Sequence, residues 1–157
     1  MNASTIKNIL TSNDTISSLP LRLVAGIIFA AHGAQKLFAW FGGYGLDGTG
    51  QWMESIGLAP GYLMALMAGS AEFFGGILLI VGLLTRPSAL VLAVTMIVAI
   101  FSTHIGNGLF MSNNGYEFGL ALLAMSVALL FQGAGRFAVD NIIAEKVAKQ
   151  MAKQMAS

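Results

Sequence analysis

The sequence predicts an all-α integral membrane protein, a four-helix bundle followed by a C-terminal amphipathic helix. Three observations carry that prediction. Hydrophobic residues make up 56% of the 157 and charged residues 10%, with a mean hydropathy of +0.76. A soluble domain carries roughly 25% charged residues. A single core of this size cannot absorb so many apolar side chains, so lipid must cover much of the surface. Four apolar stretches stand apart, separated by Gly, Asn, Asp and Pro. Polar residues inside those stretches are few, and they fall at helical spacing. A net charge of +1 argues against nucleic acid, which selects a basic face. The absence of cysteine excludes disulfides, thiolate metal sites and cysteine-ligated clusters within the chain.

Residues 1–20 are polar and rich in Ser, Thr and Asn, unlike the basic start of a cleaved signal, so the first apolar stretch reads as a retained span. Ile6, Ile9 and Leu10 form a weak stripe, either a short helix on the membrane or a disordered tail. Ser17, Ser18 and Pro20 mark a helix start. The first span, about 21–41, reads LRLVAGIIFAAHGAQKLFAWF, long enough for a hydrocarbon core of about 30 Å. Its Gly26, Ala30 and Gly33 allow close helix approach in lipid, and Trp40 fits an interfacial position.

Residues 42–61 read as a loop. Thr49 is placed to cap a short helix carrying Trp52, Met53 and Ile56, closed by Gly57. Gly43, Gly45 and Gly48 spell G-x-G-x-x-G, but a dinucleotide site needs a preceding strand, so the match is read as coincidence. The second span, about 62–84, carries one charge, Glu72, among Ala68, Gly69, Gly75 and Gly76. Thr85-Arg86-Pro87 turns into the third span, about 88–103, which exits at His104. A loop over 105–116 leads to the fourth span, from Glu117 to about Gln132. Gly133-Ala134-Gly135 breaks that helix. Beyond it, Val139, Ile142, Ile143 and Val147 oppose Lys146, Lys149 and Lys153, a pattern suited to an anionic membrane surface. The expected units are therefore a segment 1–20, a membrane domain 21–135 and an amphipathic tail 136–157.

With four spans, Lys7, Arg22, Arg86, Arg136, Lys146, Lys149 and Lys153 fall on one side and only Lys36 toward the other. Basic residues stay cytoplasmic, which puts both termini and the tail inside the cell. His32, Gln35 and Lys36 share one face of the first span. His32 lies about 14 Å from its outer end and Glu72 about 15 Å from the start of the second span, so they meet at one depth. The candidate site is Glu72 paired with Lys36 or His32, with Gln35, His104 and Glu117 as ligand-binding groups toward the outer face. Ionisable residues in lipid mark function by default. The competing reading is a salt bridge that only fixes helix pairing. The two His and two Glu come from four helices without local ligand spacing, so no metal site is expected.

Residues 32–38 (HGAQKLF), 47–57 (DGTGQWMESIG), Glu72 before 75–86 (GGILLIVGLLTR), His104 and 133–140 (GAGRFAVD) together resemble the DoxX family. The resemblance covers about residues 20–142. One departure is Ala134, where the family often has Pro. The resemblance implies a four-helix protein of the bacterial or archaeal inner membrane. The family name is shared with the quinone-reducing subunits of a thiosulfate-oxidising enzyme, and some members resemble parts of oxidoreductase complexes. Two expectations follow. The first is a redox membrane subunit with a quinone-like ligand and a soluble redox partner protein, in which His32 or Lys36 donates to a quinone oxygen and Glu72 relays protons. The second is a non-catalytic scaffold or assembly factor, with or without homo-oligomer formation. A small-molecule transporter ranks third, because neither inverted repeats nor broken helices are evident.

Overall fold

The computed structural model describes residues 16–155, which are helical with short turns and contain no strand. The stripe at Ile6, Ile9 and Leu10, and Lys7, lie outside the described residues. Helix α1 is Ser18–Phe38, α2 is Gly45–Ser55, α3 is Gly61–Val81 and α4 is Thr85–Ala99. The last of these runs on through a π-helical turn at Ile100–His104 and a 3₁₀ turn at Ile105–Asn107. Helix α5 is Glu117–Gln132 and α6 is Val139–Met155. All four expected apolar stretches are helices, and so is the amphipathic segment. By length and composition, Gly61–Val81 and Thr85–Asn107 can cross a membrane; Ser18–Phe38 joins them if it and Trp40–Ser55, bent by 98°, count as one span. Helix α5 is apolar but has 16 residues.

The most extensive contact is between antiparallel α1 and α3. A Cβ on Gly33 would lie 2.3 Å from the Phe73 backbone nitrogen, and one on Gly76 would lie 2.5 Å from that of Ala30. Helix backbones can approach this closely only where side chains are missing. The sequence suggests that glycines around Glu72 leave space beside the carboxylate. Instead, α1 fills the space over Gly69 and Gly76, and Leu92 of α4 lies against Gly75. Helices α4 and α5 close the other side, and Ala25, Phe29, Leu79, Leu92, Met96, Leu122 and Leu129 form the core.

Helix α2 starts five residues earlier than expected, with Tyr44 rather than Thr49 at its cap position. Thr49 is buried within it rather than capping it. It packs on α3 across the end of the bundle, where Glu54 accepts the Gly61 N–H and so satisfies one free donor of the α3 start. No strand precedes Gly43, which packs on the backbone of Gln35, and Gly48 lies inside α2; the glycine fingerprint is coincidental.

At the opposite end, α4 begins after Leu84, a residue with no side chain able to cap. Asp140 at the start of α6 supplies the missing acceptor. Its Oδ1 accepts the Leu84 N–H at 2.7 Å and its Oδ2 the Thr85 N–H at 3.0 Å. Arg22 is fully buried beneath Gly82, within electrostatic reach of Asp140, and donates to the Phe137 carbonyl at 3.1 Å. Ser18 donates to Gln132 at 3.2 Å and Arg86 to the Leu130 carbonyl at 3.2 Å. These contacts tie α1, α4, α5 and the chain leading into α6 into one polar knot.

Candidate functional site

At the Lys36 end, α1 and α3 join Glu72 to one of its two expected partners: His32 matches it in depth, but Lys36, one turn further along α1, makes the ion pair. Lys36 Nζ donates to Glu72 Oε2 at 2.6 Å. Glu72 is 3% exposed, whereas the Lys36 side chain keeps 23% of its surface open. The carboxylate is thus enclosed by helix packing, and the ammonium bridges it to open space. Gly69 lies against the Lys36 stem, so the absence of a side chain there lets the lysine cross from α1 to α3.

That open space is a cavity of about 730 Å³. Helix α1 contributes His32, Gln35 and Lys36; the α1–α2 turn contributes Gly42, Gly43 and Tyr44. Helix α2 contributes Gly48, Thr49 and Trp52, the end of α4 contributes Thr103 and His104, and Asn114 completes the wall. The volume falls within the roughly 300–1,000 Å³ of small-molecule sites. No carboxylate lines the cavity, so its electrostatics favour a ligand with acceptor oxygens.

The exposed His32 stands beside Gln35 and within electrostatic reach of Lys36 and Glu72. Its ring is tilted against Phe118 of α5, with centroids 6.1 Å apart. Gln35 donates to the Phe41 carbonyl at 3.2 Å, which holds the turn that brings α2 over the cavity. His104 Nδ1 lies 2.8 Å from the Asn114 carbonyl. The structure therefore brings Lys36, His32, Gln35 and His104 to one cavity, with Glu72 behind Lys36. Glu117 stands apart from that lining: its Oε1 accepts the Met111 N–H at 2.6 Å and organises the loop before α5.

The sequence offers Phe29, Phe38, Phe73 and Phe74 as aromatic walls for the site, and the structure places them elsewhere. Phe29 is in the core. Phe38, Phe73 and Phe74 form an edge-to-face ladder, with centroids 5.2 Å apart at each step, and Trp40 stacks on its end at 5.1 Å. None of these rings lines the cavity; Tyr44 and Trp52 do. Sequence reasoning missed Tyr44, Thr49, Trp52, Thr103 and Asn114 because α2 and the 105–116 loop fold over the helix ends. The apolar periodicity of the spans carries no signal for that placement. Among the described residues, no group of three or more His, Cys, Asp or Glu could hold a metal ion.

Comparison with known proteins agrees with this architecture. "Putative oxidoreductase CatD" of Bacillus subtilis is 37% identical over 128 residues, covering 82% of this chain and 87% of the relative. "Inner membrane protein YqjF" of Escherichia coli is 29% identical over 139 residues, 85% and 96% of the two chains. "Uncharacterized membrane protein Rv3486" of Mycobacterium tuberculosis is 29% identical over 141 residues, 83% of each. No solved structure gives a significant match. The DoxX family model matches residues 17–105, from the first turn of α1 through the π-helical turn that carries His104. That stretch contains Glu72 and every cavity residue except Asn114, and with it this chain belongs to the DoxX family of membrane proteins.

Proposed function

We propose that the protein is a four-span membrane subunit of an oxidoreductase system, and that the Lys36-end cavity binds a quinone-like ligand. The observation that carries this reading is the Lys36–Glu72 pair: a buried carboxylate holds an ammonium at the wall of a ligand-sized cavity with no acidic lining. The residues present fit the group. Lys36 and His32 can donate to a ring oxygen, and Tyr44 and Trp52 offer aromatic faces. Quinone reduction takes two electrons and two protons. The chain contributes the proton side: Lys36 donates to the ring oxygen, and Glu72 orients Lys36 and relays protons toward it. The electrons come from a soluble redox partner protein; the name of the Bacillus subtilis relative, an oxidoreductase, supports the redox setting alone.

The proposal places both termini in the cytoplasm, with the cavity toward the other face. The inner membrane named for the Escherichia coli relative supports that setting. Purification in mild detergent, followed by analysis of extracted quinones and co-purifying proteins, tests the reading. Quinone retained by wild type and lost from Glu72→Gln while that variant remains folded supports it. If wild type retains no quinone and binds none on addition, a non-catalytic scaffold replaces it.

A further inference from the structure

We propose that His104 accepts a hydrogen bond from a ligand hydroxyl, so that the cavity favours the reduced, hydroxyl-bearing form of its quinone-like ligand. The inference rests on the cavity being a ligand site and adds which chemistry that site selects. A carbonyl oxygen only accepts, so the 2.8 Å contact between His104 Nδ1 and the Asn114 carbonyl requires the proton on Nδ1. The tautomer is assigned from that partner. A neutral imidazole has one N–H, which leaves Nε2 as an acceptor on a ring that lines the cavity.

Two features separate this from a loop fastening. Asn107 Nδ2 already donates to the same Asn114 carbonyl at 3.2 Å and to the Thr103 carbonyl at 3.2 Å, so the loop is closed without the imidazole. In addition, Thr103 and His104 lie in the π-helical turn Ile100–His104. One extra residue in a turn rotates the chain beyond it by about 100° relative to a regular helix. That rotation helps bring two consecutive polar side chains to the cavity wall. Across the cavity, Lys36 can only donate. A ring with a hydroxyl toward His104 and an acceptor oxygen toward Lys36 satisfies both walls.

Hydroquinone and 1,4-dimethoxybenzene test this, since the second can accept but cannot donate. Titration of the purified full-length protein in detergent should show hydroquinone preferred about tenfold, the effect of one such hydrogen bond. His104→Asn places an amide N–H where Nδ1 stood and removes the acceptor, so the preference should vanish while dimethoxybenzene binding stays. His104→Gln places a carbonyl near the Nε2 position, so part of the preference should persist. Equal binding of the two rings by wild type, or a preference that survives in His104→Asn, overturns the role of His104 and leaves the cavity reading standing. Failure of wild type to bind either ring overturns both. Independently of any variant's folding, ¹⁵N spectra of histidine-labelled wild type should show a protonated Nδ1 and a bare Nε2 on His104. The opposite tautomer overturns the inference.

Discussion

The two ends of the bundle use the same residue types for different purposes. At the Arg22 end, an arginine and an aspartate are both buried, and the aspartate spends both oxygens on the backbone N–H groups of Leu84 and Thr85. At the Lys36 end, a lysine and a glutamate form a direct ion pair, and the lysine remains open to a cavity of about 730 Å³. Both clusters sit in a largely apolar protein, where an ionisable residue invites a functional reading. What separates them is accessible space. Arg22 and Asp140 are enclosed by the fold, and Asp140 completes a helix end that the local sequence leaves uncapped. The Lys36 pair caps nothing.

This difference predicts opposite responses to substitution. Asp140→Ala should give the largest stability loss, about 3–5 kcal/mol, because two capped N–H groups and the buried Arg22 guanidinium lose their anion together. Thermal unfolding in detergent measures it, and a change below about 1 kcal/mol would show that the knot is dispensable. Next comes Gly33→Ala, expected to cost about 1–3 kcal/mol by forcing α1 from α3, since the new methyl meets backbone rather than a movable side chain. Glu72→Gln should cost about 1 kcal/mol, since the amide still accepts from Lys36, yet it should abolish quinone binding. Trp52→Ala, on a side chain 44% exposed, should leave stability within about 0.5 kcal/mol and weaken ligand binding alone. If Trp52→Ala instead unfolds the protein, α2 belongs to the core and the contrast between the two ends fails.

The proposed membrane arrangement follows the same division. Arg22, Arg86 and Arg136 gather at one end, where Arg22 reaches the Phe137 carbonyl, Arg86 that of Leu130, and Arg136 stacks over Phe137. Reporter fusions after residues 45, 86, 110 and 157 should read outside, inside, outside and inside. An outside reading at 86 would invert the proposed orientation.

The apolar helices were legible because lipid imposes one simple rule on residues facing it, and that rule leaves long apolar runs. The neighbourhood of Glu72 was legible for a related reason: fixed helical rise matched its depth to His32, and Lys36, one turn further along the same face, makes the contact. Tertiary capping was not legible as a role. Asp140 reads as an ordinary acidic residue at the start of an amphipathic helix, and its partners lie 55 and 56 positions earlier. One signal was present: Leu84 cannot cap α4, so an acceptor had to come from elsewhere. The glycines around Glu72 were legible as small, but sequence cannot say whether a missing side chain leaves a void or admits a neighbour. The π-helical turn before His104 had no sequence signature, so the orientation of that imidazole depended on the structure.

The central claim is that the Lys36 end is a binding site and the Arg22 end is a fastening. Parallel titration of wild type, Lys36→Met and Asp140→Asn with one quinone analogue, at a temperature where all three are folded, tests it most directly. The account predicts loss of binding in Lys36→Met, measured where the variant is still folded, and wild-type affinity in Asp140→Asn despite a lowered unfolding temperature. Undiminished binding by Lys36→Met would contradict it.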